Sequence, residues 1–169
     1  MAAVLVTGCA SKLKPTYTPA SDTERGYFKD ATLDKKPSEV ALQIDRNRDK
    51  VYAWAGIVLD KTVKQGKRSE FEINLLVEHR DFNWQENLTG KESEVFILEP
   101  TSSGKIRVSG RFTRPKGSKS MPGKDMNKGS LVLVYGKPDK VEADGTLVLK
   151  TLFMRSIDRK WHSTRKATP

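Results

Sequence analysis

Cys9 is the sole cysteine of the chain, and Val6-Thr7-Gly8 precede it. Small residues ahead of a cysteine let a signal peptidase seat the chain. The pattern fits the lipobox that ends a bacterial lipoprotein signal peptide. The chemistry expected at Cys9 is a thioether-linked diacylglycerol, with acylation of the new amine. Several acyl chains hold a protein stably on a bilayer, where one chain does not. Ala10 follows, where an Asp would favour the inner membrane, so the outer membrane is expected. A lone cysteine also excludes an internal disulfide and any cysteine-rich zinc site.

Little else in the chain looks catalytic. The two histidines, His79 and His162, lie far apart. His79 sits in Glu78-His79-Arg80-Asp81 at a strand end and reads as a surface-loop residue, although flanking carboxylates could titrate it or share a metal. Cys9 has no base beside it to make it a nucleophile. There is no Gly-x4-Gly-Lys-Ser/Thr phosphate loop, no His-Glu-x-x-His and no Gly-x-Ser-x-Gly. The sequence therefore assigns no catalytic residue, no metal ligand and no cofactor, and the protein is expected not to be an enzyme.

Basic charge is the second candidate chemistry. The chain has 31 Lys and Arg against 21 Asp and Glu, a net charge of +10 over 169 residues. In residues 113–128, Arg114, Lys116, Lys119, Lys124 and Lys128 face Asp125 alone, a local +4. That stretch is rich in Gly, Pro and Ser and reads as a long flexible loop. In residues 155–169, Arg155, Arg159, Lys160, Arg165 and Lys166 face Asp158, another +4. Such segments suit anionic partners: lipid phosphates, lipopolysaccharide or acidic envelope proteins. On a soluble barrel they would instead suit single-stranded nucleic acid, with Tyr52, Trp54 and Tyr135 as stacking groups. Those three aromatics read more readily as core.

The scaffold that must hold these groups is beta from Lys50 onward. Residues 51–58 form one strand run. Phe71, Ile73, Leu75 and Val77 alternate with Glu70, Glu72 and Asn74, a period of two with one polar face. Residues 94–98 form a short strand that Pro100 ends. Ile106 and Val108 alternate with Lys105 and Arg107. Residues 131–135 form a buried run, and 146–157 a long strand after the Asp144-Gly145 turn. Glycines inside strands, Gly56 above all, give the sharp corners that small barrels need. The fold expected is all-β: a small OB-like barrel of five to six strands, with a polar N-terminal tether and a basic C-terminal tail.

The divisions expected are 1–8 as the remnant of a lipoprotein signal peptide, 9–37 as the tether, 38–158 as the barrel and 159–169 as the tail. Pro37 and Ser38 start a short helical turn. A hydrophobic fraction of 36% fits a modest core with polar extensions. No apolar run approaches the roughly 18 residues that would span a bilayer.

With these features the chain resembles the Slp-type outer-membrane lipoproteins of Gram-negative bacteria. Val51-Tyr52-Ala53-Trp54-Ala55-Gly56-Ile57-Val58 is similar to that family's Trp-Gly-Gly-x-Ile strand, with Ala55 in place of the first glycine. Leu42-Gln43-Ile44-Asp45-Arg46-Asn47-Arg48-Asp49-Lys50 resembles the segment that leads into it. Gly110-Arg111-Phe112 resembles the family's Gly-Arg-Phe. Gly129-Ser130-Leu131-Val132-Leu133-Val134-Tyr135-Gly136 resembles its Gly-x-x-Val-x-Val-x-Gly strand. The likeness covers about residues 38–150. It implies a lipid-anchored barrel on the periplasmic side of the outer membrane, with a structural or binding role, membrane and envelope partners, and no catalytic residues.

Overall fold

The alternation at Phe71, Ile73, Leu75 and Val77 becomes β2 (Glu70–Phe82), along which burial alternates residue by residue as far as Arg80. The computed structural model describes residues 17–66, 69–82, 84, 96–114, 116, 123–157 and 161–163. β2 pairs antiparallel with β1 (Tyr52–Gln65) on one edge and with β3 (Phe96–Thr113) on the other. β1 also pairs with β4 (Leu131–Val141), and β4 with β5 (Leu147–Ser156), again antiparallel. β5 meets β3 in parallel at Ile106↔Leu147 and Arg107↔Val148. The circuit β1-β2-β3-β5-β4-β1 closes a five-stranded barrel of the OB type. A short β6 (Trp161–Ser163) adds in parallel to the start of β3.

The strand expected to stop at Pro100 does not stop. It continues through Ile106 and Val108 as one element, β3. Between the pairs Phe82↔Leu98 and Arg80↔Ser102, β3 advances four residues while β2 advances two. The two extra residues form a bulge around Pro100, so its missing N–H breaks no regular ladder bond. A further extra residue falls near Gly104, whose φ of 129° suits glycine.

Closure of the seam between β5 and β3 is brief. Past Arg107 and Val148, Ser109 N–H reaches across to the Thr151 hydroxyl at 3.1 Å. A surface cavity of about 470 Å³ opens there, lined by Ser109, Phe112, Leu152 and Met154 among others.

The first seven residues of β1 are all buried, because this strand is covered on both faces. Tyr52, Trp54 and Val58 point into the barrel with Ile73, Leu75, Ile106, Val108, Val134 and Leu149. Ala53, Ala55 and Ile57 point outward and join Leu131, Leu133 and Tyr135 of β4 in a second core. Gly56 has no room for a side chain: an added Cβ would lie 2.5 Å from the Glu78 carbonyl oxygen.

The outer core is covered by the N-terminal residues. Ser21 caps α1 (Asp22–Asp30) by accepting from Glu24 N–H at 3.1 Å, with Asp22 and Glu24 in the first turn. Glu24, Tyr27, Phe28 and Ala31 follow helical spacing and turn one side of the segment toward the barrel. Tyr17, Tyr27, Phe28, Ala31 and Leu33 all belong to the outer core. Fully burying a large apolar side chain stabilises by about 1.5–3 kcal/mol; buried Tyr17 approaches this, and the partly buried Tyr27, Phe28 and Leu33 contribute less. The tether expected over 9–37 therefore does not run to 37. From Tyr17 onward the chain is part of the folded body.

Two short helices follow, α2 (Pro37–Leu42) and α3 (Ile44–Asn47). Pro37 starts α2 as expected, and Val40 from α2 enters the inner core. The flexible loop expected over 113–128 is also partly corrected. Residues 123–129 form a turn that puts Met126 into the inner core. Gly129 N–H donates to the Val58 carbonyl at 2.8 Å and stitches this turn to β1.

Candidate functional site

Two groups of buried polar side chains sit where the N-terminal residues meet the barrel. The first centres on Glu24, whose exposure is 0%. Oε1 accepts from the Tyr17 hydroxyl at 2.7 Å and the Tyr135 hydroxyl at 2.9 Å. Oε2 accepts from Ala20 N–H at 2.9 Å and Arg155 Nε at 2.8 Å. A second Arg155 nitrogen donates to the Tyr17 oxygen. Every polar atom of the carboxylate is thereby matched, as burial requires. Burial pushes the Tyr17 and Tyr135 phenols well above their ordinary range, with help from Glu24. Both stay protonated and keep donating. This network locks α1 to β4 and β5.

The second group centres on His79. It is no surface-loop residue: it lies in β2, is 5% exposed, and has Trp54 edge-on to its ring. Nδ1 lies 2.6 Å from the Ser103 hydroxyl of β3 and 3.8 Å from Asp81 Oδ1. The Ser103 hydroxyl in turn donates to Asp81 Oδ1 at 3.4 Å, and Lys36 Nζ pairs with Asp81 Oδ2 at 3.0 Å. A hydroxyl has one proton to give. With that proton on Asp81, Ser103 accepts from His79, which places the imidazole proton on Nδ1. Burial lowers the His79 pKa to about 4, against a weaker opposing pull from Asp81. The ring is neutral near pH 7, and Nε2 carries a lone pair.

A cavity of about 210 Å³ adjoins this group, between residues 33–36 and β2. Its walls include Leu33, Ala55, His79, Phe82 and Trp84. Ser103 and Asp81 both approach the same ring nitrogen, so the three residues do not form a nucleophile–base–orienter relay. Among the described residues no three His, Cys, Asp or Glu side chains gather to hold a metal.

The basic residues singled out from the sequence are placed unevenly. The Arg114 guanidinium lies over the Phe71 ring, 4.9 Å from its centre. Lys116 is exposed, and Lys124 and Lys128 are exposed on the Met126 turn. Gly123, at the start of that turn, abuts Ile73, two residues from Phe71. Gly123 thus brings the start of the turn near Arg114's end of β2, while Gly129 ties its other end to Val58 of β1. Cys9, Lys119, Arg159, Lys160, Arg165 and Lys166 lie outside the described residues. Arg155, counted with the basic tail, is turned inward to Glu24. Tyr52, Trp54 and Tyr135 are each at most 1% exposed, which removes them as stacking groups for a nucleic acid.

Glu24 was not legible as a site residue because it lies in a polar stretch. The available signal was Ser21-Asp22-Thr23-Glu24, a capping pattern followed by aromatics at helical spacing. Comparison with family models and with curated proteins gives no match for this chain. The functional reading therefore rests on the residues and their geometry.

Proposed function

We propose that this protein is a lipid-anchored envelope protein of the Slp type. Cys9 holds it on the periplasmic side of a bacterial outer membrane, and it acts by binding or holding, without catalysis. The observation that carries this reading is Cys9 after Val6-Thr7-Gly8, a short distance before residues 17–33, which dock on the barrel through Tyr17, Glu24 and Arg155. Eight positions separate Cys9 from Tyr17, and eight extended residues reach at most about 29 Å. An acylated Cys9 would hold the barrel close to the bilayer, because the chain that follows is built into the fold. Arg114, Lys116, Lys119, Lys124 and Lys128, with Arg159, Lys160, Arg165 and Lys166, supply positive charge for anionic lipids or envelope partners.

The test is the mature N-terminus of the protein made from its native gene. Mass spectrometry should find a chain that begins at Cys9 and carries acyl mass. Cys9→Ser should move the protein from the membrane fraction to the soluble fraction. An unmodified cysteine in a membrane-free protein would end this reading.

A further inference from the structure

We propose that the cavity beside His79 binds a small uncharged ring compound with one hydrogen-bond donor, of about the size of phenol or indole. This inference uses none of residues 1–16 and stands apart from the anchoring reading.

Size comes first. The cavity measures about 210 Å³. An apolar cavity of about 150 Å³ holds benzene. One ring with a substituent therefore fits, and a drug-sized molecule, which takes roughly 300 Å³ or more, does not.

Leu33, Ala55, Phe82 and Trp84 offer an apolar and aromatic wall. The roof is fixed before any ligand arrives. Thr32 N–H donates to the Val51 carbonyl at 2.8 Å, and Ala53 N–H to the Thr32 carbonyl at 3.2 Å. Trp54 Nε1 donates to the Lys35 carbonyl at 2.7 Å. A preformed wall spares the ligand the cost of ordering it.

Charge decides the ligand class. Asp34 and Asp81 on the cavity wall are offset by Lys35 and Lys36, and Lys36 pairs directly with Asp81. His79 adds no charge near neutral pH. A charged ligand would lose its hydration here and find no uncompensated partner. A neutral one loses little.

Polarity decides the functional group. Ser103 occupies Nδ1 of His79; with the Ser103 proton directed at Asp81, the ring proton sits on Nδ1. Nε2 is left as an acceptor with no partner among the described residues. His79 lines the cavity, and a ligand hydroxyl or ring N–H that reaches Nε2 satisfies it, where an unsubstituted hydrocarbon does not.

The experiment titrates the full 169-residue chain, labelled with ¹⁵N, with phenol and separately with toluene. Phenol should give saturable shifts at His79 Nε2 and at the Trp84 indole N–H. It should bind more tightly than toluene by roughly 2- to 12-fold, the yield of one net hydrogen bond. Leu33→Trp fills the cavity and should abolish the shifts while the melting temperature is kept. Should that variant fail to fold, the phenol–toluene comparison on the unaltered chain decides alone. Resonances of His79 and Trp84 that stay unmoved mean that the cavity holds only water, and the proposal is then wrong. Equal affinity for phenol and toluene overturns it as well, because Nε2 then selects nothing.

Discussion

Arg155 in β5 donates from Nε to Oε2 of Glu24 in α1 at 2.8 Å, across 131 positions of the chain. The carboxylate is fully buried and the guanidinium largely so. Glu24 lies in a polar stretch, and Arg155 falls near the end of the strand expected over 146–157, where it is counted with the basic tail. Their pairing, together with the packing of Tyr17, Tyr27, Phe28 and Leu33, makes an N-terminal stretch of mostly polar residues part of the barrel.

Arg155→Met keeps much of the side-chain volume and leaves Glu24 as a buried carboxylate with one fewer cation. Removing one partner of a buried pair costs about 3–5 kcal/mol. Urea unfolding followed by tryptophan fluorescence should show a loss of that order. A loss below about 1 kcal/mol would mean that the pair is solvated and that α1 is only loosely attached.

A chain that begins at residue 32 lacks Tyr17, Glu24, Tyr27 and Phe28. It uncovers the outward faces of β1 and β4, including Ala53, Leu133 and Tyr135. An exposed apolar face of this kind drives association. The shortened chain should bind a hydrophobic dye and elute as oligomers in gel filtration. A monomer with no dye binding would show that the N-terminal cover is dispensable.

His79 gives stability a pH dependence. Its folded pKa, about 4, lies below the ordinary value of 6.5 because burial disfavours the charged ring. The unfolded chain therefore binds the proton more readily. The stabilising contribution is complete above about pH 6.5 and is lost as the pH falls toward 4, a change of about 3 kcal/mol. His79→Gln should flatten the stability profile between those limits. An unaltered slope in that variant would assign the acid sensitivity to other groups.

Met126 enters the inner core from a turn rich in glycine and lysine. Met126→Ala should cost about 2–5 kcal/mol through the cavity it leaves. Neighbouring Lys128→Ala should cost less than about 0.5 kcal/mol, as exposed positions do. Equal small effects at both sites would mean that residues 123–129 form a surface loop after all.

The barrel was legible because its strands announce themselves. Ile73, Leu75 and Val77 keep a period of two, and residues 51–58 and 131–135 are apolar on both faces because both faces are covered. Ile57, Leu133 and Leu149 are buried as that pattern implies. What covers the outer face was not legible. Tyr17, Tyr27 and Phe28 are spaced among lysines, threonines and aspartates, and no window average brings them out. His79 was misplaced for a related reason. Between Glu78 and Arg80 it looks solvated, yet in a strand those two neighbours face one way and His79 the other. Pro100 misled because a bulge can absorb a proline that a regular ladder cannot.

The seam between β3 and β5 has a mechanical consequence. Around the rest of the ring each strand is zipped to its neighbour over a long register, whereas here Ile106↔Leu147 and Arg107↔Val148 are the ladder pairs among the described residues. Two ladder pairs make this line the one where the ring is expected to open first. Thermal breathing concentrates at the split, so the amides of β5 that face it exchange with solvent ahead of those in β1 and β2. The tie from Arg155 to Glu24 sits near the far end of β5 and is expected to act as a clasp that limits such opening.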